Sequence, residues 1–187
     1  GGSALRSMLS RGGHRVHREE PLIPEAPEGW VIFPAAHRVT PLLIGAKTLS
    51  YAANMQAARE ATAAGAHTAL FVEADSAEVL ECPVASFIWF EGDDVCAPPL
   101  ASGVLDSITR RLLAEVVDLQ VRSRTLDELA VADGALVIST VLESRIVREV
   151  QGIATYDIAN PRVNEVAQFL HEASVSGDPD RARAVPA

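Results

Sequence analysis

Four places in this sequence carry side chains that could do chemistry together. Lys47 ends the apolar run Pro41-Leu-Leu-Ile-Gly-Ala46, just before an alanine-rich stretch. Read singly, a lysine at the end of an apolar strand is a solvated side chain at an element boundary. Desolvated, its amine would lose proton affinity and become a nucleophile able to form a Schiff base. Glu81 lies in Val79-Leu-Glu-Cys-Pro83. On a half-buried strand such a residue faces water; buried against a pyridine ring, it would pair with a protonated ring nitrogen. Asp106-Ser-Ile-Thr-Arg110 joins two N-cap residue types to a threonine hydroxyl at a helix start. The free amides of a first helical turn make an anion site, although most such sequences are plain caps. Ser139-Thr140, at the end of a strand, could bring hydroxyl and amide donors to the same anion.

The elements that must position these groups can be read from the pattern. Residues 11–30 are polar and proline-rich and read as a loop or linker. Trp30–Phe33 reads as a strand. Residues 48–64, rich in alanine, read as a helix closed by Gly65. Thr68–Val72, Glu78–Cys82 and Ser86–Phe90, separated by turn residues, predict an antiparallel meander. Pro98-Pro99 breaks the chain, and a helix from Asp106-Ser107 runs through Leu112, Leu113 and Val116. Thr125–Glu128 fits a capping box on a short helix. Ala135–Ile138 and Ile146–Val150 read as strands, and Asn160-Pro161 opens an amphipathic helix through Val166, Phe169 and Leu170. The tail after Ser176 is polar and expected to fray. Strands mixed with segregated helices predict an α+β fold, a mixed or antiparallel sheet or barrel flanked by helices.

Composition removes several classes. The 187 residues carry a net charge of -9, with basic residues scattered, which argues against a nucleic-acid partner. A hydrophobic fraction of 48% fits a folded chain, and no apolar run reaches the roughly 18 residues a membrane span requires. Cys82 and Cys96 are too few for a disulfide scaffold and lack metal-site spacing, so the expectation is a cytoplasmic setting with no metal. The opening Gly1-Gly-Ser-Ala4, without methionine or signal pattern, suggests a linker scar or a truncated reading frame.

The order of the four elements is more specific than any one of them. Lys47 with Tyr51 and Asn54, Glu81 in Glu-Cys-Pro-Val-Ala-Ser-Phe-Ile-Trp, Leu105-Asp-Ser-Ile-Thr-Arg110, and Ser139-Thr140 resemble the successive motifs of class IV (fold type IV) pyridoxal-phosphate enzymes. That family includes branched-chain and D-amino acid aminotransferases and 4-amino-4-deoxychorismate lyases. The resemblance covers about residues 28–172. It implies pyridoxal 5'-phosphate as cofactor, a small amino substrate and a homodimer. It also implies that Lys47 is the Schiff-base lysine that shuttles protons, and that Glu81 contacts the pyridine nitrogen. Ile108 and Thr109, after Ser107, would hold the phosphate with Thr140 beside Ser139, and Tyr51 would lie near the site.

Three departures from the family pattern stand out. Serine occupies position 107, where glycine is usual, and Ser86 stands where asparagine is usual. Most of the family's N-terminal domain, which supplies a phosphate-binding arginine and one pocket wall, has no counterpart; Ala4–Gly12 resembles its end. The expected division is therefore residues 1–27 as remnant and linker, 28–175 as the cofactor-binding domain and 176–187 as tail. The spacing Lys47-Thr-Leu-Ser-Tyr51 looks most like the aminodeoxychorismate lyases, whereas Ser139–Val150 can be laid over aminotransferases. The lyase is favoured, releasing 4-aminobenzoate and pyruvate in the folate pathway. The alternatives are a class IV aminotransferase or a truncated, catalytically inactive relative. Lys47, Glu81, Thr109 and Thr140 are expected to surround one cofactor-sized cavity, with an exposed apolar face nearby.

Overall fold

In the computed structural model, which describes residues 3–176, the chain opens with a hairpin of β1 (Ser3–Leu9) and β2 (Arg15–Pro21). Gly13, at φ +84°, supplies the left-handed residue of its turn. The loop expected over 11–30 therefore begins only after Pro21. β2 reads Arg-Val-His-Arg-Glu-Glu-Pro with nearly every side chain exposed, so no apolar alternation announces it. Backbone pairing and an Arg6–Glu20 ion pair at 3.2 Å hold it instead.

The other eight strands form one mixed sheet. They are β3 (Trp30–His37), β4 (Thr68–Glu73), β5 (Ser86–Glu91), β6 (Asp94–Ala97), β7 (Leu119–Val121), β8 (Gly134–Ser139), β9 (Glu143–Val150) and β10 (Ala154–Thr155). The order is β4-β3-β9-β8-β5-β6-β7, with β10 on β9. β3 runs parallel to β4 and β9, and β6 parallel to β7; the other pairs are antiparallel. The α+β expectation holds. The meander does not: residues 78–82 form no strand, although the Phe71 amide donates to the Glu81 carbonyl at 2.9 Å. Pro83 cannot donate to a ladder, and β5 leaves to pair with β6 and β8.

Three helices flank the sheet: α1 (Ala52–Ala63), α2 (Ile108–Ala114) and α3 (Pro161–Ser176). α1 starts four residues later than expected, and α2 stops short of Val116. Asn160 caps α3, its Oδ1 accepting from the amides of Arg162 at 2.9 Å and Val163 at 3.3 Å. At the expected capping box, the Thr125 amide donates to Glu128 Oε2 at 2.7 Å, and the turn it opens, Asp127–Val131, is 3-10. The tail lies outside the described residues.

Side-chain alternation along β5 explains its unbroken apolar run. Phe87 and Trp89 pack with Trp30, Val137 and Leu129 on one face; Ile88 and Phe90 pack beneath Leu113 of α2 and Val163 and Val166 of α3 on the other. Ala57 and Ala61 of α1 cover Val31, Ala69 and Phe71 of β3 and β4. Small alanines let that helix approach the sheet closely. Cys82 and Cys96 are free and buried. Among the described residues no helix is long and apolar enough to cross a membrane, and no His, Cys, Asp and Glu group could hold a metal ion.

Candidate active site

Glu81 is the best-fixed of the expected residues. Its backbone is tied to β4, and its Oε2 accepts a hydrogen bond from the Leu105 amide at 3.1 Å. Among the described residues its Oε1 accepts none. Burial pushes the carboxyl up to about 7; the Leu105 amide, the Lys47 ammonium and the Arg110 guanidinium each pull it back down. Lys47 and Arg110 therefore both act electrostatically on one half-hidden carboxyl. That is the kind of acceptor a protonated ring nitrogen requires.

The start of α2 faces the same place. Ser107 is the N-cap, its Oγ accepting from the Arg110 amide at 3.2 Å. Thr109 is buried, whereas Ile108 is 74% exposed. Among the described residues, the amides of Ile108 and Thr109 have no protein acceptor, so both remain available to an anion. Ser86 and Ser107, the two serines that depart from the family pattern, meet: their Oγ atoms are 2.8 Å apart. Ser86 opens β5 and pairs with Ile138, which puts Ser139 and Thr140 at the same end of the sheet. Ser139 Oγ accepts from the Leu142 amide at 3.1 Å, and Thr140 is exposed in the β8–β9 turn.

Lys47 departs most from expectation. The segment before it is a single 3-10 turn, Pro41–Leu43, and not the end of a strand. Pro41 lacks a ladder donor, and Gly45 turns the chain at φ +75°. Lys47 consequently sits exposed on an irregular loop, and Tyr51 is half-buried as the residue preceding α1. Asn54 of α1 donates to the Pro83 carbonyl, which anchors this loop's far end beside Glu81. Two cavities, of about 370 and 430 Å³, are lined by Met55 and Arg59 and by Glu91 and Arg124, and neither includes the site residues. Leu42 and Leu49, on the same loop as Lys47, are 93% and 95% exposed.

Arg110 had no assigned role in the sequence. It is 6% exposed, and burial lowers its proton affinity against the pull of Asp106 and Glu81. Its only sequence signal was its place directly after Thr109.

The sequence pattern described as amino-transferase class IV matches residues 4–150. No curated protein matches the chain. Solved structures similar in fold include a hypothetical aminotransferase from Mycobacterium tuberculosis in its PLP-bound form, at TM-score 0.79 and 23% identity, covering 94% of this chain and 69% of that one. A candidate 4-amino-4-deoxychorismate lyase from Legionella pneumophila matches at TM-score 0.74 and 23% identity, over 84% of this chain and 60% of its own. The branched-chain aminotransferase of the archaeon Thermoproteus uzoniensis, with norvaline, matches at 0.78 and 21%, over 92% and 64%. At such identities the likeness is one of fold.

Proposed function

Because the chain belongs to the class IV amino-transferase family, whose enzymes depend on pyridoxal 5'-phosphate, we propose that it acts as a 4-amino-4-deoxychorismate lyase, releasing 4-aminobenzoate and pyruvate. The observation that carries the cofactor site is the buried Glu81 carboxyl acted on by Lys47 and Arg110, beside two unengaged amides at the start of α2. The donor set fits the group. Glu81 would hold the ring nitrogen, the Ile108 and Thr109 amides with the Thr109 and Thr140 hydroxyls would hold the phosphate, and Lys47 would hold the aldehyde carbon. Tyr51 would line the approach.

When bound, the cofactor supplies an electron sink for the bond next to the substrate amine. Glu81, as an anion, would pair with a protonated ring nitrogen and keep that sink effective. Lys47 Nζ would take the proton from the carbon that bears the substrate amine and give a proton to the methylene carbon of the departing enolpyruvate, so that 4-aminobenzoate and pyruvate leave with protons balanced. An aminotransferase would use the same Lys47 to return the proton one position away. The spacing from Lys47 to Tyr51 favours the lyase, and the aminotransferases among similar folds favour the second reading.

A cytoplasmic homodimer acting on a small amino substrate is part of the same proposal. The chain spans 60–69% of the three structures named above, so activity of this chain by itself is proposed along with the substrate. The test is a visible absorbance band on adding cofactor to purified protein, lost in Lys47→Ala. Release of 4-aminobenzoate, assayed beside amino transfer to 2-oxoglutarate, separates lyase from transaminase. A wild-type protein with no band defeats the reading.

A further inference from the structure

The turn that carries Ser139 and Thr140 has an unusual closing residue. β8 and β9 pair Ser139 with Glu143, leaving three residues between them. The residue that follows this loop, Glu143 at the start of β9, has φ +58°, a left-handed conformation that favours glycine. It is one of two non-glycine residues with positive φ among those described. A side chain with a Cβ is strained in that region, so something must offset it.

The Glu143 carboxylate is gripped from α3. Its Oε2 lies 2.7 Å from His171 Nδ1, and its Oε1 accepts from Ser174 Oγ at 2.7 Å. From the other side, Arg145 of β9 donates to the Leu142 carbonyl at 2.6 Å. Both contacts fasten the C-terminal end of the turn, at Leu142 and Glu143, and the Leu142 amide ties that end to Ser139 by donating to its Oγ at 3.1 Å. Thr140 stands between Ser139 and Leu142. We infer that Glu143, with His171 and Ser174, is a positioning clasp that holds the Thr140 turn in place for the cofactor phosphate.

The inference rests on the reading above that Thr140 contacts that phosphate. The charged groups around the clasp are Arg145 on β9, Glu25 in the segment before β3, and Glu172 on α3. The bond to Glu143 raises the His171 proton affinity, with Glu143, Glu25 and Glu172 adding to it. Burial pushes the Glu143 carboxyl up, but the bonds from His171 and Ser174 outweigh it and leave the group below its ordinary value. The sign follows from both shifts. The His171 contribution is complete below its unfolded value of 6.5 and fades as pH rises through the raised folded value. The Glu143 contribution is complete above 4.5 and fades as pH falls through its lowered value.

Glu143→Gly is the informative variant, because it removes the clasp and also the backbone strain. A purely structural clasp predicts only a change in stability. A positioning clasp predicts weaker binding of the phosphate even where stability is kept. Dissociation constants of pyridoxal 5'-phosphate and of pyridoxal, which lacks the phosphate, would be measured by the absorbance band for wild type, Glu143→Gly, His171→Gln and Ser174→Ala. The expected result is a loss of about three- to tenfold for pyridoxal 5'-phosphate in Glu143→Gly and His171→Gln, the size of one charge-assisted contact at a partly exposed site. Ser174→Ala should lose less, and pyridoxal should be unaffected in all three. In wild type, the advantage of the phosphorylated form should shrink as pH rises through the raised His171 value, and His171→Gln should flatten that dependence. Equal losses for both ligands, or none for either while the wild-type band is present, overturn the clasp alone. Absence of the band in wild type overturns the cofactor reading and the clasp with it.

Discussion

Replacing Glu81 with glutamine separates the cost of burying this carboxyl from its use. Glutamine keeps an oxygen to accept from the Leu105 amide, 3.1 Å away, while removing the charge. In the folded chain the Glu81 proton is held up to about pH 7, against 4.5 in the unfolded chain, because of burial. Between those values the folded state binds more protons, so stability falls as pH rises and levels off above about pH 7. Two and a half pH units at roughly 1.4 kcal/mol each set a ceiling of about 3.5 kcal/mol. Solvent at the Lys47 side screens part of this, leaving about 1 to 3 kcal/mol. In cofactor-free protein, Glu81→Gln should therefore match wild type near pH 5 and exceed it near pH 8. For a chain of this length the gain is about 5 °C in Tm. Thermal unfolding followed by circular dichroism at both pH values reads the difference directly. Cofactor should narrow the gap at pH 8, because a protonated ring nitrogen compensates the wild-type carboxylate and not the amide. Parallel melting curves for the two proteins from pH 5 to 8 would refute the buried-carboxyl reasoning.

Glu91 shifts the opposite way: hydrogen bonds from Arg124 first, and from Trp89 and Arg122, hold it at about 2 against the cost of burial. Glu91→Gln should cost about 1–2 kcal/mol near neutral pH, with the two proteins converging as pH falls from 4.5 towards 2, read by urea unfolding at each pH. Gly103 has φ +95°, and a Cβ there would lie 2.4 Å from Val39 Cγ1, so Gly103→Ala should lose about 2 kcal/mol or more in a urea titration. Ser86 is 6% exposed and shares a hydrogen bond with Ser107, so Ser86→Ala and Ser107→Ala should be non-additive by about 0.5–1.5 kcal/mol. Additive losses in that double-mutant cycle would mean the two hydroxyls do not depend on each other.

What the sequence made legible was decided by local physics. β5 and β8 are apolar on both faces, and their runs Ser86–Phe90 and Ala135–Ile138 could hardly be anything but buried strands. Asn160-Pro161 and Ser107 mark helix starts because capping is a property of a few adjacent residues. β2 was hidden because its pairing comes from the backbone and not from an apolar stripe. β6 was hidden because Asp94-Val-Cys-Ala is shorter than any pattern can report. Residues 78–82 misled because they meet β4 on one side and Arg124-Thr125 on the other through isolated bridges, which looks like a strand in composition and does not make a continuous ladder. Of the candidate site, Glu81, Ser107 and Thr109 were singled out by ordered motifs. Arg110 was not, since its burial and its charge partner Glu81 are set by tertiary packing and not by the motif around it.

Glu81 and Lys47 also differ in what holds them, and the difference bears on reactivity. Glu81 is secured through its own backbone, through Leu105 and, by way of Asn54 and Pro83, through α1. Lys47 is held through local turns of its own loop, the bend at Gly45, the Ala46 amide donating to the Leu43 carbonyl at 3.0 Å and the Ser50 amide donating to Thr48 Oγ1 at 3.3 Å. A lysine becomes a Schiff-base nucleophile by losing water or by gaining a cationic neighbour. Arg110 supplies a buried cation on the Glu81 side, where it acts on the same carboxyl as Lys47. Water is the remaining variable, because Lys47 is exposed on a loop whose Leu42 and Leu49 are exposed as well. On the proposed reading, the rigid half of the site at Glu81 and α2 is already held, and covering of that loop is what would desolvate Lys47.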